Sequence, residues 1–172
     1  MTRDAEKMTN RPHADRQASS RDSHDHHYYR LLGMIVLSFV AMYILMYAMV
    51  NSLANVYNNV NQFYMAGLMA APMVLIELAL MNSMYQNKRL NALIVAASIM
   101  ALIFFFVMIR QQTAVTDRQF LRSMIPHHAG AILMCEQSPA QAPQIKQLCR
   151  TIISSQETEI RQMKAMLETL AK

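Results

Sequence analysis

LLGMIVLSFVAMYILMYAMV, residues 31–50, decides what kind of molecule this is, because its run of apolar side chains carries no charge and is broken chiefly by Ser38. A helix of about 20 mostly apolar residues is long enough to cross the hydrocarbon of a bilayer. Two more stretches meet the same requirement: YMAGLMAAPMVLIELALM, residues 64–81, interrupted by Glu77, and NALIVAASIMALIFFFVMI, residues 91–109, interrupted by Ser98. Helices satisfy their own backbone hydrogen bonds and are the economical way through lipid. The first stretch does not read as a cleaved leader, since thirty polar residues precede it and no small-residue cleavage site follows. It is expected to stay in the mature protein.

Composition agrees. The chain has 172 residues, 53% hydrophobic and 16% charged, with 17 Met against 3 Gly, which allows one or two small domains and excludes a disordered or fibrous protein. The formal net charge of +5 comes from basic residues scattered among carboxylates, with no basic run interleaved with aromatics. Nucleic acid is therefore not an expected partner, whereas membrane lipid is. The reading is an all-α chain in three parts: a polar, histidine-containing cytoplasmic tail (1–30), a three-helix transmembrane domain (31–110) and an extramembrane helical hairpin (111–172).

Flanking charge sets the orientation. Residues 51–63 carry no charge, whereas Lys88 and Arg89 lie in the second connector and Arg21 and Arg30 precede the first span. The positive-inside tendency places residues 1–30 and 82–90 in the cytoplasm, with 51–63 and the chain from Arg110 onward outside; Arg110 itself argues the other way. In the tail, His24, Asp25, His26 and His27 form a run able to hold a metal loosely, although a solvated juxtamembrane segment is the default.

Beyond the third span, Thr116 and Gln119 look like an N-cap and its box partner, opening a helix at Asp117 that runs to about Gln137. Pro126 inside it releases the carbonyl of Arg122 and is expected to kink or restart the helix. SPAQAP, residues 138–143, is the break. A second helix follows over about 144–170, with Ile145, Leu148, Ile152, Ile160, Met163 and Leu167 as its apolar periodicity. Two helices bury only a thin core, so self-association into a four-helix arrangement, or support from the membrane part, is expected; a homo-oligomer follows.

The hairpin also carries ligand-type side chains. Met124, His127, Ala131 and Met134 share a stripe on the first helix, flanked by His128 and Cys135, and Gln156, Glu159, Met163 and Met166 share one on the second, beside Ser155. Thioether with imidazole suits Cu(I), and imidazole with carboxylate extends the choice to Cu(II) or zinc. Glu159 is placed to orient an imidazole. Each Met taken alone is as well explained as core filler. The adjacent histidines point about 100 degrees apart and cannot both be core residues on one narrow stripe.

FLRSMIPHHAGAILMC, residues 120–135, followed by ISSQETEIRQM, residues 153–163, resembles the family known as domain of unknown function 305. The resemblance spans residues 117–170 and implies a helical, ferritin-like arrangement and, by similarity to periplasmic members, copper binding linked to copper tolerance. It implies that Met124, His127, His128 and Met134, with Gln156, Glu159 and Met163 from the second helix, contribute the site. Copper is thus the expected cofactor and the bacterial cytoplasmic membrane, hairpin in the periplasm, the expected location.

Cys135 and Cys149 fall near the ends of the two hairpin helices, where folding at Ala140 brings them within about one to two turns of each other. A disulfide there would stabilise the hairpin by roughly 3 kcal/mol. A thiolate ligand at Cys135 is the competing reading. In the spans, Met65, Met69, Met73, Glu77 and Met81 step by four, and Met42, Met46 and Met49 mark a face of the first; packing explains these faces as well as ion transfer does. Glu77, a carboxylate inside a span, calls for a protein-interior partner, and Gly67 and Pro72 nearby could open its helix. No nucleophile constellation appears, so an enzyme is not expected. The leading expectation is a membrane-anchored copper-binding protein using Met124, His127, His128, Met134, Glu159, Met163 and Met166 for sequestration, delivery or sensing. Its alternatives are a structural or protein-docking membrane protein without metal, and a subunit of an oligomeric metal transporter.

Overall fold

The computed structural model describes residues 26–81 and 83–170, all helix and connection with no strand among them. Residues His24 and Asp25 of the histidine run lie outside the described residues, while His26 and His27 open the first helix. Three helices are long and apolar enough to cross a membrane: α1, His26–Met49; α2, Val60–Leu80; and α3, Lys88–Gln111. The last turn of α1, Met46–Met49, tightens into a 3-10 helix. Two further helices, α4 (Asp117–Glu136) and α5 (Pro143–Thr169), form an antiparallel hairpin.

α2 is the hub of the membrane part. Its face toward α3 is built of small residues, with Ala66, Gly67, Ala70 and Ala71 all buried. A Cβ on Gly67 would stand only 2.4 Å from the Phe105 ring, so glycine is what lets that ring lie on the α2 backbone. Close approach of this kind is how helices associate in lipid, where apolar side chains gain nothing by leaving the acyl chains. α1 packs through Leu31, Met34 and Ile35 onto a cluster with Val74, Leu78 and Tyr85. Rings of Phe39, Phe63 and Phe105 link the three helices, with centroids 5.1 and 6.2 Å apart.

The second and third spans each open on an asparagine cap. Asn59 and Asn87 cap α2 and α3, their side chains accepting from the N–H groups of Gln62 and Leu90. Pro72 does not open α2, which is continuous through it. Glu77 lies in the last turn of α2, where its backbone carbonyl accepts from Met81, and Tyr85 donates to its carboxylate at 3.5 Å. It thus has a protein partner at the end of the bundle, not at its middle. Met65, Met69 and Met81 are exposed on the surface of the bundle.

α4 lies across the other end of the bundle. Val60 N–H donates to Gln119 Oε1 at 3.1 Å, Asn61 Nδ2 donates to Ser123 Oγ at 3.2 Å, and Gly130 rests against Met49 at the end of α1. Eleven residues of helix, about 16 Å, therefore span the ends of α1 and α2. A Cβ on Gly130 would sit 3.4 Å from the Met49 carbonyl oxygen, an ordinary van der Waals contact. The first connector, residues 50–59, and the hairpin share this end.

Thr116 caps α4 as expected, accepting from Gln119 N–H at 3.4 Å, and Pro143 opens α5 at its first turn. α4 does not restart at Pro126 but runs unbroken to Glu136. Ile125 and Ala129, both fully buried on either side of the proline, hold the helix through the missing hydrogen bond. The hairpin core consists of Leu121, Ile125, Ala129 and Ile132 from α4 with Ile160 and Met163 from α5, and Val50 and Tyr57 from the first connector pack against it. Complete burial of Ile125 and Ile132 contributes about 1.5–3 kcal/mol each.

Candidate functional site

The buried face of α4 is offset from the expected stripe of Met124, His127, Ala131 and Met134. Leu121, Ile125, His128 and Ile132 face α5 instead, because Ile and Leu gain most from leaving water. This turns the two histidines in opposite senses. His128 is 7% exposed, whereas His127 faces solvent, its ring centroid 5.9 Å from that of His128.

His128 is clasped from two sides. Its Nδ1 bonds the backbone carbonyl of Met124, one turn earlier, at 2.9 Å, and its Nε2 bonds Glu159 Oε2 on α5 at 2.7 Å. The other oxygen of Glu159 accepts from Ser155 Oγ at 2.8 Å. Ser155 first, and His128 second, hold the Glu159 carboxyl below the usual glutamate range, so it is an ionised acceptor. Both ring nitrogens are therefore engaged by protein groups, one on α4 and one on α5.

The other expected ligands are spread along the hairpin. Met163 is buried among the core aliphatics and Met124 packs at the edge of the same core. Met134 is 57% exposed toward the loop end, about 15 Å along α4 from Met124. Met166 is 53% exposed and borders a recess with Phe120, Leu121 and Leu170 at the opposite end. The fold therefore brings together His128, Glu159 and Ser155, with His127, Met124 and Met163 adjoining, and leaves Met134 and Met166 apart. Gln156 is half-buried on α5. Among the described residues no group of three His, Cys, Asp or Glu side chains is arranged to hold a metal ion.

Sequence reasoning missed the part played by the first connector. Val50 and Tyr57 extend the hairpin core, and Tyr57 is fixed by a hydrogen bond from Tyr47 to its carbonyl at 2.8 Å. The signal was available as isolated apolar residues in an asparagine-rich segment.

Comparison with known proteins finds a relative of the chain. An uncharacterised protein of Acanthamoeba polyphaga mimivirus is 36% identical over 141 residues, which cover 80% of this chain and 91% of that protein. No solved structure matches the chain. The model of the family described as "Domain of unknown function (DUF305)" matches residues 51–167, and so takes in the connector and both inner spans as well as the hairpin. With α4 and α5 resting on that connector, and the match covering more than half its length, the chain belongs to the DUF305 family.

Proposed function

We propose that this protein is a structural and docking protein of a membrane, in which three spans hold a helical hairpin flat against one face of the bilayer. The observation that carries this reading is the engagement of both His128 ring nitrogens by protein groups, Nδ1 by the Met124 carbonyl within α4 and Nε2 by Glu159, which ties α4 to α5. The imidazole that a metal would need is spent on closing the hairpin, and Met163 is spent on its core. The docking part of the proposal commits to a second copy of the chain. Ile145 and Leu148, one turn apart on α5, are 44% and 53% exposed near the loop end, where Met134 is also exposed. A two-helix module with apolar side chains left on its outer surface is suited to completing a four-helix arrangement with its twin. The charge pattern beside the spans favours the outer face of the membrane for the hairpin.

Copper binding is the second reading, favoured by the exposure of His127 beside His128. Release of the His128–Glu159 bond would present two imidazoles and a carboxylate, with Met124 and Met163 in the adjoining core, and such mixed ligation suits Cu(I). Copper would there be stored or passed on.

One experiment separates the two. The detergent-purified protein is loaded anaerobically with Cu(I), desalted and analysed for metal and for mass by light scattering, beside His127→Ala/His128→Ala and Ile145→Glu/Leu148→Glu variants. The docking reading expects an oligomeric wild type, a monomeric Ile145→Glu/Leu148→Glu variant and no copper difference on removing the histidines. Stoichiometric copper lost only with the histidines would establish the second reading, and a monomeric wild type would remove the docking partner.

A further inference from the structure

The loop end of the hairpin holds chemistry that the clasp does not use. Cys135, the last residue but one of α4, and Cys149, in the second turn of α5, are both half-buried. They line one recess of about 320 Å³, together with Glu136, Ser138, Lys146 and Arg150. Their surroundings differ. Cys135 sits at the carbonyl end of its helix with Glu136 next to it, where negative charge is disfavoured. Cys149 has Lys146 one turn before it and Arg150 beside it, so the two cations of the recess lie on its side.

We propose that Cys135 and Cys149 are a thiol–disulfide exchange site, oxidised by a disulfide-bearing compound, with Cys149 as the entering nucleophile and Cys135 as the resolving thiol. The Cys149 thiolate attacks one sulfur of the incoming disulfide. That S–S bond breaks, a mixed disulfide forms on Cys149 and the second sulfur leaves as a thiolate. Cys135 then gives its proton to solvent and attacks Sγ of Cys149, expelling the remaining external thiolate. Two protein thiols are oxidised to one disulfide, and one external disulfide is reduced to two thiols. The Cys149 side chain, with burial adding to it, pushes the Cys135 thiol up to about 11, in keeping with a group that waits for the second step. The product joins α4 to α5 across the loop 137–142, at the end of the hairpin far from the Met166 recess.

The test uses the reduced, full-length protein in detergent with oxidised glutathione as the probe, quenched by acid and alkylation and read by intact and peptide mass. The wild type is expected to finish with an internal Cys135–Cys149 disulfide and no retained glutathione. Cys135→Ser is expected to accumulate glutathione on Cys149, and Cys149→Ser to be modified at Cys135 at least about tenfold more slowly. Circular dichroism confirms that each variant keeps its helices, with the alanine counterpart used where serine does not. Equal rates in the two variants, or a faster Cys149→Ser, would overturn the order of attack. A wild type that keeps both thiols alkylatable, or retains glutathione on both, would overturn the site.

Discussion

α2 with α3, and α4 with α5, are both antiparallel helical hairpins, yet they are assembled from opposite materials. The first buries Ala66, Gly67, Ala70 and Ala71 and leaves Leu93, Met100, Ile103, Phe104 and Phe106 exposed. The second buries Leu121, Ile125, Ile132 and Ile160 and exposes Gln, Arg, Thr and Ser along α5. Lipid solvates large apolar side chains as well as a protein core does, so contact between the spans is made by small residues and close backbones. Water does not, so contact within the outer hairpin is made by burying aliphatics. A polar clasp also has different worth in the two settings, and the protein places one, His128 with Glu159, in the outer hairpin.

The comparison predicts unequal costs for equal substitutions. Ile125→Ala should destabilise the hairpin by about 3 kcal/mol, through lost transfer energy and the cavity left behind. Ile103→Ala, at a side chain 57% exposed on α3, should cost under about 0.5 kcal/mol, as expected for a lipid-facing site. Denaturant titration of both variants in one detergent measures the difference, and equal costs would break the contrast. Gly67→Val inverts the test, since the added side chain meets Phe105 and should cost about 2 kcal/mol by overpacking. Enlarging any lipid-facing residue of α3 should cost far less.

His128→Ala should lower stability by about 2 kcal/mol, because it removes a buried ring that bonds two helical turns. A smaller gain is expected from Ala114→Gly. Ala114 has φ 59°, in the left-handed region between α3 and α4, and relief of that conformation is worth about 1 kcal/mol. Smallest is the effect of Glu159→Gln, which shows chiefly in the pH profile. The folded-state pKa of Glu159 lies below its unfolded value, so its contribution is present above the usual glutamate range and fades as pH falls through the folded value. The variant should flatten that acid limb of the thermal melt and leave the neutral limb parallel to wild type.

Much of this architecture is legible in the sequence because the signals are long or local. Runs of apolar residues mark the spans, and Thr116 marks a helix start through a side chain that bonds the backbone three residues on. What the sequence does not disclose is which of two adjacent stripes on α4 turns inward. Met124 and His127 advertise a ligand face, yet Leu121, Ile125 and Ile132 take the core and rotate His128 in with them. Contacts between distant segments are equally silent. Gly130 against Met49, and Tyr57 beneath the hairpin, depend on how three spans end at one membrane face. The resemblance in residues 117–170 likewise reached only the hairpin, although the family match extends forward to Asn51.

The central claim is that His128 closes the hairpin through its bond to Glu159, with Met124 engaging the other ring nitrogen. The most direct measurement is nitrogen-15 NMR of the histidine side chains in detergent at neutral pH, with and without Cu(I). The account predicts His128 ring signals correlated to Met124 and Glu159, which stay in place when copper is added. His128 signals that move in step with copper would contradict it.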